Sequence, residues 1–259
     1  MPRNVAFLAL ACLTLAGCAS LPPGAKRDPR DPWERMNRTT YKFNDAFDRA
    51  IAQPVARTYR KITPRFVQTG VSNFVDNLSY PVVIVNDLLQ AKFKQTGADT
   101  GRLIVNTTLG LGGLLDPAGK MGMDKNDEDF GQTLGKWGLK PGPYLVIPFV
   151  GFSDSRDAVG KVGDIFTNPT HYIDNNTVSW SLWGLQLLDT RARLLNAGDI
   201  LNGVYDPYVF TRNAYLQRRQ YLVTDGEDSG GEGSPELPPD DDDAGASPAP
   251  PQPAPAPTK

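Results

Sequence analysis

The chain has 259 residues, of which 40% are hydrophobic and 22% charged, with a formal net charge of −2. Two cysteines and one histidine exclude a disulfide framework and a cysteine–histidine zinc centre. The near-neutral balance, with no nucleic-acid motif beside it, excludes an electrostatic nucleic-acid binder.

The first element is a targeting segment. Arg3 gives a positive start, and Val5 to Ala16 is apolar but too short to span a bilayer. It ends in Leu15-Ala16-Gly17-Cys18, small residues before a cysteine, the cleavage signature of a bacterial lipoprotein. Residues 1–17 are therefore expected to be the signal peptide, with the Cys18 thiol accepting diacylglycerol. Cys12 leaves with the signal. Buried CH₂ groups contribute about 0.8 kcal/mol each, so a multiply acylated Cys18 anchors firmly. Ala19, in place of an aspartate after the cysteine, favours the outer membrane. Residues 18–30 form a short tether.

Asp31-Pro32-Trp33-Glu34 reads as a helix start with Asp31 as N-cap. Met36, Thr40, Phe43, Phe47 and Ile51 continue it as a stripe, and Pro54 is expected to end or kink it. Thr63-Pro64 opens a second helix, and Ser79-Tyr80-Pro81 repeats the start signal before the almost wholly apolar Val82 to Leu89. A helix apolar all round is buried or faces lipid. Asp99 or Thr100 opens the next helix. Asp127 is expected to cap a short one through Phe130, Leu134 and Trp137. Pro141 to Phe152 reads as extended or loop, with at most one strand. Ser153 or Asp154 begins a further helix, Asn176 to Leu201 is the longest, and Asp206-Pro207 starts the last. Tyr215 beside Arg218-Arg219 fits a membrane interface and fits a soluble helix equally.

From Asp225 the chain is Gly, Ser, Pro and acid, which cannot build a core. Without Arg3, Lys259 and the nine acids from Asp225 to Asp243, the remainder carries about +5, compatible with anionic headgroups. The expected organisation is one all-α domain over 31–224 and a disordered acidic, Pro/Ala-rich tail over 225–259.

Eleven of the 25 glycines fall between Gly101 and Gly151, interrupting apolar segments. This stretch is either a set of turns in an ordinary core or a broken passage. No catalytic motif accounts for it. Gly131 to Lys136 misses the spacing and the hydroxyl of a phosphate-binding loop. Gly110-x-Gly112-Gly113 lacks the third glycine of a dinucleotide turn. His171 has no companion nucleophile signal. The acids Asp127-Glu128-Asp129 suit the first turn of a helix.

Several blocks, in order over about 180 residues, resemble the VacJ/MlaA phospholipid-transport lipoproteins of Gram-negative outer membranes. They are Asp31 to Arg38 with Tyr41 to Asn44; Val71 to Leu78; Arg102 to Gly113; Glu128 to Gly135; Trp137-Gly138 with Gly142-Pro143-Tyr144 and Pro148; Arg156-Asp157; and Asp206-Pro207-Tyr208. The acidic tail has no counterpart in the pattern.

The resemblance implies about seven or eight short amphipathic helices arranged as a ring around a channel. It implies a non-enzymatic protein without cofactor that takes mislocalised phospholipids from the outer leaflet and passes them to a periplasmic lipid-carrier protein. The expected partners are phospholipids, that carrier and a trimeric outer-membrane porin. The alternative is a non-catalytic, porin-associated envelope scaffold. Within this reading Leu109, Gly110, Leu111, Gly112, Gly113, Leu114 and Leu115 line the passage, and Phe43-Asn44 on the first helix packs against them. Core packing is the rival account of all nine. Lys92, Lys94 and Arg102 either meet headgroups or form a solvated face.

Overall fold

A computed structural model describes residues 28–196 and 203–226. The signal segment, Cys18 and the tail beyond 226 lie outside the described residues. The first helix, α1 (Glu34–Phe47), passes through a π-helical turn (Asp48–Ala52) into α2 (Gln53–Ile62). Pro54 therefore neither ends nor breaks this rod. Proline lacks an N–H and crowds the carbonyl four residues back. The wider π turn, closed by the Gln53 N–H on the Asp48 carbonyl, carries the chain past it. Asp31 is not the N-cap; Trp33 holds that position without a side-chain bond. The Asp31 carboxylate is buried instead, accepting hydrogen bonds from Asn37 Nδ2 at 2.8 Å, the Tyr208 hydroxyl at 2.5 Å and Arg212 Nη1 at 3.1 Å.

The start expected at Ser79-Tyr80-Pro81 does not occur either. Pro81 lies inside α3 (Arg65–Leu89), and the Ser79 hydroxyl donates back to the Val75 carbonyl at 3.1 Å. Burial of Val75, Tyr80, Val82 and Val83 outweighs the local signal. Next, α4 (Phe93–Thr108) begins six residues before Asp99, which is wholly buried in mid-helix. Asp116 caps α5 (Pro117–Lys120). Asp129, not Asp127, caps α6 (Phe130–Lys136), accepting from the Gln132 N–H at 2.8 Å.

The Pro/Gly-punctuated segment forms two strands rather than one. In the hairpin of β1 (Tyr144–Ile147) and β2 (Gly151–Asp154), Tyr144 pairs with Asp154 and Ile147 with Gly151. Asp154 then caps α7 (Ser155–Thr167), as expected. A 3₁₀ turn, Pro169–Tyr172, holds His171 edge-on to Phe166 and Tyr172. Asn175 caps α8 (Asn176–Arg193); the helix is interrupted by a turn at Leu194 and resumes at Leu195 and Asn196, and residues 197–202 of the continuation expected to Leu201 lie outside the description. Asp206 caps α9 (Pro207–Val223), as expected.

The elements pack in a closed circuit. The α1–α2 rod lies on α8, α8 on α3, α3 on α6, α6 on α9, α9 on β2, and β1 returns to α1. Two small apolar clusters sit on different arcs. Ala56, Ala192 and Leu195 join α2 to the end of α8, while Tyr144, Val146 and Tyr208 join the hairpin to α9.

Among the described residues, nineteen polar or charged side chains are buried against twelve apolar ones, while thirty-three large apolar side chains are exposed. Trp180, Trp183, Phe66, Ile62 and Phe166 are each more than half exposed. No described helix is long and apolar enough to cross a membrane.

Candidate functional site

The glycine turn follows directly from the last turn of α4. The N–H groups of Gly112 and Gly113 close on the Thr107 and Asn106 carbonyls, each at 2.9 Å, and Leu115 N–H closes on Gly110 O at 2.9 Å. Leu111, Gly112 and Gly113 all have positive φ, at 56°, 74° and 93°. Behind the turn is a polar clamp. Asp116 accepts from Arg102 Nη2 at 2.5 Å and Asn106 Nδ2 at 2.9 Å, and Asn106 Oδ1 accepts the Ala118 N–H at 3.1 Å. The clamp holds the backbone while the four leucines face outward: Leu109 and Leu111 are 64% and 69% exposed, Leu114 and Leu115 about half.

Leucine with positive φ costs roughly 1–2 kcal/mol. Such strain persists only where surrounding bonds impose it, and it clusters at functional sites. Beside the turn, an apolar cleft of about 250 Å³ opens between α3 and α4, lined by Phe74, Leu78, Pro81, Leu103, Thr107 and Gly112.

Of the nine sequence-selected residues, seven thus form one continuous turn. Phe43 and Asn44 do not join them. Phe43 packs edge-on against Phe149 at 5.1 Å. Asn44 clasps the β-hairpin reversal, donating to the Ile147 carbonyl at 3.0 Å and accepting the Phe149 N–H at 2.9 Å. The hairpin was not foreseen as a partner, so its complement on α1 was assigned to the wrong loop. Lys92 and Arg102 are not headgroup cations, nor part of a solvated face. Lys92 pairs with Glu128 at 2.7 Å and Asp225 at 2.5 Å, and Arg102 is buried in the clamp. Lys94 takes part in no described ion pair.

Sequence reasoning missed the buried charge network. Arg219 is not an interfacial cation but is held between Asp129 and Asp157. Burial opposes ionisation of Asp129, and the Arg219 guanidinium overcomes it, leaving the carboxyl below its ordinary range. Burial also pushes Asp154 and Asp164 up to about 6.

The visible signal was Asp87, a lone acid inside the apolar run Val82–Leu89. It is wholly buried, as is Asp99, and neither of its carboxylate oxygens has a hydrogen-bond partner among the described residues. A buried carboxylate with other acids near it is costly to charge. Desolvation first, then Asp99 and Glu128, push Asp87 up to about 8, against a smaller opposing pull from Lys92.

The folded chain therefore holds a proton that the unfolded chain, with an ordinary value of 3.8, releases. Stability from this site is complete below about pH 4 and is lost as pH rises towards about 8. Asp87→Asn, which keeps the shape without the charge, is expected to melt several degrees above the parent at pH 9. The difference should shrink at pH 6. Equal pH slopes for the two proteins would remove the held proton.

A closed circuit of short helices, with ion pairs inside and leucine, phenylalanine and tryptophan outside, defines a helical protein whose outer face suits lipid. The family comparison is specific: the MlaA lipoprotein model matches residues 29–222, and the chain belongs to that family. It is 37% identical to the intermembrane phospholipid transport system lipoprotein MlaA of Escherichia coli K12 over 236 residues, covering 88% of this chain and 91% of the relative. The protein of the same name from Haemophilus influenzae is 32% identical over 230 residues, with 87% and 92% covered. A solved structure described as the "Structural basis for maintenance of bacterial outer membrane lipid asymmetry" superposes with a TM-score of 0.68. It is 34% identical in sequence and covers 76% of this chain and all of its own.

Proposed function

We propose that this chain is an outer-membrane lipoprotein, anchored through Cys18, that removes mislocalised phospholipids from the outer leaflet and so maintains lipid asymmetry. The names of its relatives support the cargo. The residues give a physical route. A phospholipid has a head that hydrocarbon rejects and tails that water rejects, so a passage must offer both environments. The helical circuit is apolar outside and polar within, and the glycine turn Leu109–Leu115 presents leucines beside a polar clamp. We place the passage wall there. The lipid leaves on the periplasmic side to a soluble carrier, a trimeric porin steadies the ring in the membrane, and no catalysis or cofactor is involved.

The observation that carries this reading is Leu111, an exposed leucine kept in a conformation that favours glycine. If the turn were only a core reversal, glycine would serve better there. Leu111→Gly is expected to match or exceed parental thermal stability, because φ strain is relieved. In a strain carrying only this variant, outer-leaflet phospholipid should rise towards the level of a deletion. Unchanged surface phospholipid would take the passage away from this turn. Porin capture with no bound lipid, for the parent protein, would favour the scaffold reading instead.

A further inference from the structure

The described ion pairs engage cations on most of the helices, but include no cation between Arg49 and Lys92. Between Arg49 and Val75 the sequence contains no acid. Arg57, Arg60 and Lys61 on α2, and Arg65 at the start of α3, form no ion pair with another described residue, whereas Arg38, Arg102, Arg156, Arg191, Arg193, Arg212 and Arg219 all do. Three of these four charges share one place. Arg57, Arg60 and Lys61 line an open cleft of about 360 Å³ whose other wall is Leu195 and Asn196 at the end of α8.

Arg60 is held in place there, donating from Nη1 to Asn196 Oδ1 at 3.1 Å. Beneath it, Ala56, Ala192 and Leu195 fix α2 against α8, so the cations stand on a rigid base. The flanks are apolar and exposed: Val55 and Leu194 by about half, Ile62 by 73% and Phe66 by 79%. A solvated basic face would not need four large apolar residues around it. A group that is anionic at its head and hydrocarbon immediately beside it would.

We infer that the cleft between α2 and the end of α8 binds the phosphate of an anionic phospholipid headgroup. Guanidinium forks match phosphate oxygens in a way a point charge does not, and the neighbouring apolar side chains meet the glyceride and upper acyl carbons. The site also lies near the candidate passage. From Arg65 to Gly70 is about 7.5 Å along α3, and a Cβ at Gly70 would sit 3.4 Å from the Leu114 carbonyl. The inference goes beyond the passage reading and does not depend on it.

The test uses the full lipidated chain in a neutral detergent. Short-chain phosphatidylglycerol is titrated against the parent, the triple variant Arg57→Gln/Arg60→Gln/Lys61→Gln, and a control, Lys94→Gln. The parent and control should bind saturably, and the triple variant about tenfold more weakly or worse. Its melting temperature should stay at the parental value, since the altered groups form no ion pair. A second variant, Arg57→Lys/Arg60→Lys, keeps the charge but not the forks and should bind between the parent and the triple variant.

Equal binding by parent and triple variant overturns the inference. Inorganic phosphate that binds as tightly and displaces the lipid also overturns it, because the site would then recognise a free anion. Lost binding here with an ineffective Leu111→Gly would leave the headgroup site standing and remove the passage. The converse result would do the opposite.

Discussion

Replacing Arg219 with methionine is expected to destabilise the domain by about 3–5 kcal/mol, the range for removing one partner of a buried ion pair. Arg219 reaches from α9 to two other helices. Its Nη1 donates to Asp129 Oδ2 at 2.5 Å, and its Nη2 to Asp129 Oδ1 and Asp157 Oδ1, both at 2.9 Å. Asp157 is buried and also accepts the Tyr215 hydroxyl at 2.6 Å. Without the guanidinium, Asp129 and Asp157 are like charges in a medium with little water, and the arc α6–α9–β2 of the circuit loses its tie. Denaturant unfolding of the purified protein measures the loss. Arg219→Lys, which keeps the charge but not the fork, should fall between parent and methionine. Adding Asp129→Asn to Arg219→Met should recover part of the stability, because one stranded charge is removed. A methionine variant as stable as the parent would mean that these charges are solvated.

The same network explains which features were legible in the sequence. Helices announced by Asp154 and Asp206 appear where expected, because there the capping bond is local and persists, at Asp206 even while Arg38 donates to the same carboxylate. Asp31, Asp99 and Asp127 resemble them in sequence and do not cap. Asp31 and Asp99 are drawn into bonds with residues far along the chain, Asp31 to Tyr208 and Asp99 to Asn126. No window of neighbouring residues reveals such partners. Pro54 and Pro81 failed as boundaries for a related reason: a π turn absorbs one, and packing on α4 overrides the other.

The glycine turn was legible because glycines that break an apolar run need a backbone reason wherever they occur. Phe43 and Asn44 were legible as residues with a purpose but not as residues of a place, since their hairpin partner reads in sequence as extended or loop. An inside-out protein adds a difficulty of its own. Apolar stripes still mark helix faces, but many of the faces they mark are exposed, so a stripe names the surface and much of the core is the polar remainder.

Gly110→Ala is expected to cost about 3 kcal/mol and to abolish the turn, whereas Gly112→Ala should cost only about 1 kcal/mol. A Cβ at Gly110 would stand 2.3 Å from the Asn106 carbonyl oxygen and 2.5 Å from that of Leu115. Both are backbone atoms held by the clamp and the turn, so neither can yield. A Cβ at Gly113 would meet Asn77 Cβ at 2.5 Å, on a side chain already bonded to Thr107 Oγ1 at 3.1 Å, and should be nearly as harmful. At Gly112 nothing lies within 4 Å, and only the φ of +74° is unfavourable.

The three glycines, alike in sequence as candidates for affecting lipid movement more than folding, therefore separate. Gly110 and Gly113 hold the turn together, and Gly112 alone is free to report on the cleft it lines. Melting temperature and surface-exposed phospholipid, measured on the same variants, distinguish the roles. Gly110→Ala should lose both stability and lipid asymmetry. Gly112→Val should keep most of the stability and, on the passage proposed here, still let phospholipid accumulate, because its branched side chain would project into the cleft. A Gly112→Val strain with normal asymmetry would leave the turn a structural reversal, and a stable Gly110→Ala would show that the close approach at Asn106 and Leu115 is not rigid.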